Sequence, residues 1–250
     1  MAATAVLFAA TGCAGPDGAG RPGSGLPGAE GKGPGSSASA APSSSSAPTT
    51  PPSRGGAPGG AADGDGGLPG LPGAGQARTQ LAGLTVAPQR SMTGYSREKF
   101  PLWAEQGHSC NTREAVLERD GTDVRRDGEC RAVSGTWVSV YDGKSFTKAS
   151  GLDIDHVVPL ANAWRSGADS WTQEKRKAFA NDLTHPQLLA VSAVSNRSKG
   201  DQGPDEWQPP SRAYWCTYAR AWTSVKSTYG LTVTPAEKTT LGRMLDTCGG

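Results

Sequence analysis

Aromatic residues are almost missing from the first third of the sequence. None lies between Phe8 and Tyr95, and all seven tryptophans lie from Trp103 onward. A segment without aromatics and with few aliphatics cannot bury enough apolar surface to offset the entropy lost on ordering. We therefore predict that residues 14–77, rich in Gly, Pro, Ser and Ala, form a disordered tether, and that the folded domain spans residues 78–250.

The sequence also has little excess of one charge sign over the other and few long apolar runs. Residues 78–250 carry 22 basic against 19 acidic side chains, too small an excess to indicate nucleic-acid binding by itself. After the N-terminus, no stretch is long and apolar enough to predict a membrane span.

The N-terminus has a short apolar run, Met1 to Ala10, followed by Ala10-Thr11-Gly12-Cys13. This pattern resembles a bacterial lipoprotein processing site, which implies a signal segment over residues 1–13 and lipidation of Cys13. The run is short and has no Lys or Arg before it, so the alternative is a chance Ala-rich stretch. The first interpretation predicts a protein that is secreted or held at a bacterial cell surface by a lipid anchor.

Cysteine is sparse, and no Cys-x-x-Cys pair exists, which argues against a zinc site. Cys110, Cys130, Cys216 and Cys248 allow three pairings. We favour Cys110–Cys130 and Cys216–Cys248, because each joins sequence neighbours and leaves the central segment free; free thiols are the alternative. Two disulfides indicate an oxidising, extracytoplasmic compartment.

Periodicity and capping residues predict a mixed helical and strand domain of the α+β class. An apolar and aromatic stripe in the segment from Ser211 to Tyr229 has helical spacing and is assigned to the core. The other expected elements are helices from Ser96 to Trp103, Asn111 to Arg119, Ser170 or Thr172 onward, Ser192 to Gly200 and Thr234 onward, and strands Thr136 to Tyr141, Leu152 to Val158 and Leu188 to Val191.

Histidine is rare, with three copies, and His156 stands out because it follows Asp155 where a predicted strand ends at Pro159. Neighbouring side chains of a strand point to opposite faces, so both serve one site only if the strand twists or ends there. Further along, Asn196 and Lys199 lie three residues apart on one helix face. Asn oxygens suit Mg²⁺, and Arg197 and Lys199 are cations that can hold phosphate oxygens.

Together these segments resemble the HNH, or ββα-metal (His-Me finger), nucleases, in the branch that also forms the C-terminal domain of modification-dependent restriction enzymes and occurs in secreted actinobacterial proteins. The resemblance covers residues 95 to 248. It is carried by Asp155-His156-Val157-Val158-Pro159-Leu160, Asn196-Arg197-Ser198-Lys199-Gly200-Asp201, Cys110-Asn111-Thr112-Arg113, Ala161-Asn162-Ala163-Trp164, Phe179-Ala180-Asn181-Asp182 and Gly203-Pro204-Asp205-Glu206-Trp207.

The resemblance implies a ββα-metal core with added helices, in which His156 is the general base and Asp155 and Asn196 hold one divalent ion. It implies a structural asparagine near the site, either Asn162 or Asn181, and we favour Asn181. The chain lacks the His-rich cluster of bacteriocin-type HNH domains, which favours Mg²⁺ or Mn²⁺ over Zn²⁺.

The expected function is therefore extracellular hydrolysis of DNA, with RNA as a second substrate, by a monomer. Phosphate contacts are expected from Arg113, Arg197 and Lys199. Two rival hypotheses stay open at this point. The first is a non-catalytic surface module that binds nucleic acid or a wall polymer, and the second is a hydrolase of another phosphodiester such as a teichoic-acid polymer, because fold does not fix substrate.

Overall fold

A computed structural model describes residues 67–249 of the chain. Helices and short strands alternate in this part, as expected for the α+β class. The helices are Ala74–Gly83 (α1), Thr112–Asp120 (α2), Leu160–Arg165 (α3), Gln173–Ala180 (α4), Ala193–Lys199 (α5), Trp215–Tyr229 (α6) and Pro235–Leu245 (α7). The strands are Glu105–Gly107 (β1), Cys110–Asn111 (β2), Thr122–Arg126 (β3), Ala132–Val138 (β4), Ser145–Phe146 (β5), Leu152–His156 (β6) and Leu188–Ser192 (β7).

The strands form small antiparallel sheets, of which the pair β6–β7 matters most for function. Their register runs from Leu152 opposite Ser192 to His156 opposite Leu188. All five β7 residues are buried. Helix α5 begins directly after β7 and packs on both strands, so the chain forms a strand–strand–helix unit. The β6–β7 connection contains α3 and α4. Sheets β1–β2 and β3–β4–β5 complete the strand content of the described residues.

Local capping chemistry explains where several helices begin, and it confirms four predictions. The Asn111 side chain accepts hydrogen bonds from two amides of the first turn of α2. Thr172 caps α4 and Ser192 caps α5 in the same way. Thr234 and Glu237 form a full capping box at α7, with Pro at the first helical position.

Several boundaries differ from the prediction. The expected helix from Ser96 to Trp103 is only a 3-10 turn over Arg97–Lys99, because Pro101 follows and cannot continue the hydrogen-bond ladder. The expected strand from Thr136 to Tyr141 lies earlier, over Ala132–Val138, since a turn already starts at Ser139.

Residues 68–77, which the composition assigned to the tether, belong to the folded domain. Leu68 is buried, and Ala77 in α1 is fully buried. Helix α1 packs against α6 and α7, whose aromatic and aliphatic side chains provide the apolar surface that α1 itself lacks. The boundary expected at residue 78 is therefore too late, because short apolar side chains suffice when a large neighbour covers them.

The main core is built around α6, as its apolar stripe predicted. Tyr218, Trp222 and Val225 are fully buried and join one cluster with Phe179, Leu241 and other residues of α3, α4 and α7. Both expected disulfides are present, Cys110–Cys130 and Cys216–Cys248. The second joins the first turn of α6 to the segment after α7, so the two helices are covalently linked.

The signal segment expected over residues 1–13, with its lipidated Cys13, and the tether over residues 14–66 lie outside the described residues. Within residues 67–249, no helix has the length and apolar character needed to cross a bilayer.

Candidate active site

The end of β6 opens into a cleft of about 430 Å³. Strand β6 stops at His156, and Pro159 lies directly before the short helix α3 that forms one wall. Helix α5 and the segment around the 3-10 turn contribute the other walls. The residues lining the cleft include His156, Asp155, Asn196, Arg197, Arg97 and Tyr95.

A larger cleft, of about 690 Å³, lies beside the Cys110–Cys130 disulfide. Its carboxylates are already engaged, because Glu118 pairs with Arg126 and Asp127 pairs with Arg131. The cleft at the end of β6 is therefore the better candidate for chemistry.

His156 is held through one ring nitrogen. Its Nε2 lies 2.9 Å from the carbonyl oxygen of Ala180. A carbonyl can only accept, so Nε2 carries the proton and Nδ1 keeps its lone pair. Ala180 is the last residue of α4, where helix carbonyls have no partner within the helix and carry partial negative charge. The end of one helix therefore fixes the tautomer of His156.

Burial strongly lowers the pKa of His156, to about 4, although the Ala180 hydrogen bond opposes this effect. The positive charges of Arg97 and Lys199 lower the pKa further. The imidazole is therefore neutral at physiological pH, the state in which it can accept a proton.

The Asp155 side chain leaves β6 on the side opposite His156, as strand alternation requires, but both residues line the cleft because the strand ends at His156. Its carboxylate receives the Tyr141 hydroxyl at 2.6 Å and the Lys199 ammonium at 2.6 and 2.9 Å. Burial raises the pKa of Asp155, and the two partners counter this by stabilising the charged form. Lys199 is fully buried and also donates to the backbone oxygen of His156.

Asn196 lies across the cleft on α5. Its Nδ2 faces Asp153 Oδ2 at 3.3 Å, and the exposed Arg197 approaches the same oxygen at 3.4 Å. Asp153 and Asp155 are two residues apart in β6 and so share a face. Arg197 keeps three-quarters of its side chain exposed and is available to an incoming anion.

The oxygen donors present suit a hard divalent cation. An ionised carboxylate has about four acceptor positions, and the three contacts to Asp155 leave one on Oδ1. Asn196 lines the same cleft and has an amide oxygen, and oxygen is the donor type that Mg²⁺ and Mn²⁺ prefer. Among the described residues, no group of three His, Cys, Asp or Glu side chains forms a cage for a metal.

Asn181 supports the site from outside the cleft. Its Oδ1 accepts from the Ala104 amide and Thr112, and its Nδ2 donates to the carbonyls of Pro101 and Lys177. These bonds anchor the end of α4, and with it the Ala180 carbonyl. Asn162, the alternative, is buried and accepts only the Ser166 hydroxyl.

Two of the expected phosphate ligands lie elsewhere. Arg113 is turned toward Glu114 and the carbonyl of Ala149, at the start of α2, and does not line the cleft. Lys199 is buried in its ion pair with Asp155, so it cannot reach a phosphate in this structure. The sequence spacing placed Lys199 on the face of Asn196 but did not show that this face turns inward.

Sequence analysis missed Tyr141, Asp153 and Arg97. The sequence could have indicated Asp153, since strand periodicity puts it on the face of Asp155. It could not have indicated Tyr141, which is 14 residues from Asp155, or Arg97, which is 59 residues from His156, because tertiary packing brings both to the site.

The loop between α4 and β7 is organised by Asp182. Its carboxylate accepts from the amide and hydroxyl of Thr184, from the amide and Nδ1 of His185, and from the Tyr229 hydroxyl, all within 3.0 Å. Burial would raise the pKa of Asp182, but these hydrogen bonds outweigh it and the pKa is lowered.

Asp182→Asn is expected to destabilise the domain by about 2 to 3 kcal/mol near pH 7, because hydrogen bonds to a charged group are lost. A lowered native pKa contributes stability above the ordinary Asp pKa of about 3.9 and loses it as the pH falls through the native value. The difference between variant and wild type in urea unfolding should therefore shrink below about pH 4. A difference that stays constant down to pH 2 would contradict this role.

Comparisons with known proteins identify the family of the chain. Residues 113–244, just over half of the chain, match the family described as GmrSD restriction endonucleases, C-terminal domain. The chain belongs to this family. It is also 58% identical over 180 residues to an "Uncharacterized secreted protein" of Arthroderma benhamiae, covering 72% of this chain and 88% of that protein. No solved structure matches. The expected family is thus confirmed in its broad form, and the actinobacterial branch stays a prediction.

Proposed function

We propose that this domain is a metal-dependent endonuclease of the HNH type, which hydrolyses phosphodiester bonds of DNA. The observation that carries the proposal is the state of His156, a neutral imidazole fixed through Nε2, with Nδ1 free as an acceptor at a cleft shared with Asp155 and Asn196. The strand–strand–helix unit β6, β7 and α5 is, in this proposal, the ββα-metal core.

His156 acts as the general base. Its Nδ1 takes a proton from the water that attacks phosphorus, while the Ala180 carbonyl holds the ring and stabilises the imidazolium that forms. A pKa near 4 makes a weak base in the free protein. An anionic phosphate entering the cleft offsets the charges of Arg97 and Lys199 and so raises that pKa.

Asp155 and Asn196 would hold the divalent ion, completed by water and phosphate oxygens. When bound, the ion supplies charge stabilisation to the scissile phosphate and the leaving oxygen. Tyr141 and Lys199 stabilise the ionised form of the Asp155 carboxylate and fix its orientation. Arg197, exposed at the rim, binds a neighbouring phosphate.

An extracellular location is part of the proposal. The Arthroderma benhamiae relative is described as secreted, and two disulfides suit an oxidising compartment. From the sequence pattern at the N-terminus, the proposal also includes a bacterial source and attachment to the cell surface through a lipid on Cys13.

The test is cleavage of supercoiled plasmid by the full chain. We expect nicked and linear products with Mg²⁺ or Mn²⁺, none in excess EDTA, and recovery when Mg²⁺ is returned. Asn196→Ala should raise the Mg²⁺ concentration for half-maximal rate at least about 10-fold. Ser198→Ala, at an exposed position of the same helix, is the matched control. Cleavage that persists in EDTA, or none with any of several divalent ions, would overturn the proposal.

A further inference from the structure

A row of cations leads away from the His156 cleft along the segment 95–99 and helices α3 and α4. It begins with Arg97, which is exposed, lines the cleft and forms no ion pair with any described residue. Tyr95 lines the same cleft and packs edge-on against Trp164, with ring centroids 5.8 Å apart. The Tyr95–Trp164 contact therefore connects the cleft to the surface beyond it.

Two cations cover the ring of Trp164. The Lys99 ammonium lies 5.0 Å from the ring centroid, and the Arg176 guanidinium carbon lies 5.8 Å from it. Arg176 also donates to the carbonyl oxygen of Lys99 at 3.0 Å, so these two cations are held side by side. Trp164 itself is buried beneath them, and its ring supports the cations electrostatically.

The row continues on the next aromatic ring. Lys175 precedes Arg176 in α4, and its ammonium lies 4.4 Å from the centroid of Trp171. The side chain is exposed, and its ammonium donates to a carbonyl oxygen, that of Tyr229, at 3.3 Å. We define the basic track as Arg97, Lys99, Arg176 and Lys175.

Acidic neighbours do not neutralise the basic track. Glu98 and Glu174 are exposed beside it and interact electrostatically with Arg97 and Arg176 respectively, but within residues 67–249 neither forms an ion pair with a track residue. Arg176 bonds only to carbonyl oxygens, those of Lys99, Ala168 and Trp171. In contrast, Arg90, nearby on the same side of the domain, is paired with Asp169. The track thus keeps four positive charges against two negative ones.

We propose that the basic track binds successive backbone phosphates of a nucleic acid that extends out of the His156 cleft, an inference that rests on the proposed nuclease function. Exposed cations without an ion-pair partner attract the negative charge of a nucleic-acid backbone. The track offers few groups that distinguish bases, and the faces of Trp164 and Trp171 are occupied by cations rather than open for stacking. The substrate is therefore a polymer that spans several phosphates and is bound with little sequence preference.

The salt dependence of binding tests the track. The full chain carrying Arg97→Gln, Lys99→Gln and Lys175→Gln is compared with wild type for binding to a 30-base-pair DNA duplex in EDTA, where cleavage cannot interfere. Each phosphate neutralised on duplex DNA contributes about 0.9 to the slope of log affinity against log salt concentration. The magnitude of that slope should therefore be smaller by about 2 to 3 in the triple variant than in wild type. Arg176 is left unchanged because its carbonyl contacts stabilise the fold.

The matched control replaces three exposed cations outside the cleft and the track, Arg125→Gln, Lys148→Gln and Arg212→Gln. We expect its slope to stay within about 1 of wild type, and thermal unfolding to show that both variants are folded. Equal slopes for the track variant and wild type, or equal losses in both triple variants, overturn the proposal, as does absence of DNA binding. If the slopes differ as expected but the wild type never cleaves plasmid, the nuclease function is refuted and the proposal for the basic track is retained.

Discussion

His156→Ala is expected to reduce the rate of plasmid cleavage by about 10²- to 10⁴-fold, the usual contribution of a positioned general base. The change removes the Nδ1 acceptor from the cleft while leaving Asp155 and Asn196 in place. Affinity for a DNA duplex in EDTA should change little, because the neutral ring makes no charge contact with phosphate. Single-turnover nicking rates at saturating Mg²⁺ provide the measurement.

His108→Asn is the control for that experiment. His108 is exposed and does not line the cleft, so its replacement should leave the cleavage rate within about threefold of wild type. A loss of less than 10-fold in His156→Ala, or an equal loss in both variants, would remove His156 from the role of base.

Lys199→Met is expected to destabilise the domain by about 3 to 5 kcal/mol, the cost of leaving one member of a buried ion pair unpaired. Lys199 is fully buried, and the Asp155 carboxylate it neutralises is almost as inaccessible. Burial already raises the pKa of Asp155, so without its partner the carboxyl takes up a proton or draws in water. Urea unfolding at pH 7 measures the change.

The double variant Asp155→Asn with Lys199→Met tests the origin of that loss. Both charges are then absent, and a substantial part of the stability should return, so the two substitutions should be strongly non-additive. Arg197→Gln, a substitution of an exposed cation on the same helix, should cost no more than about 0.5 kcal/mol. Additive losses from Asp155→Asn and Lys199→Met would show that the two groups do not stabilise each other.

Local chemistry made part of this structure predictable. The strand at Leu152, the helix after Ser192 and the capping box at Thr234 depend on residues within a few positions of one another. The α6 core also followed from spacing, because large apolar side chains on one face leave few alternatives. The disulfide pairing followed from proximity in sequence.

The parts that could not be predicted depend on distant residues. Lys199 and Asp155 are 44 residues apart, and nothing near either one shows that they meet inside the protein. The same spacing that suggested a phosphate ligand at Lys199 is compatible with a buried partner, and tertiary packing decides between them. Helix α1 was assigned to the tether because its own composition is weak, while the surface that stabilises it belongs to α6 and α7.

The hydrogen bond from His156 to the Ala180 carbonyl affects how the site responds to mutation. Because the acceptor is a main-chain atom, no side-chain replacement at position 180 deletes it. Substitutions can disturb it only by moving the end of α4, and the bonds of Asn181 and Asp182 resist that movement. Substitutions in this loop, about 25 residues from His156 in sequence, should therefore alter how His156 acts as a base. A mutational search confined to the catalytic motif would not find them.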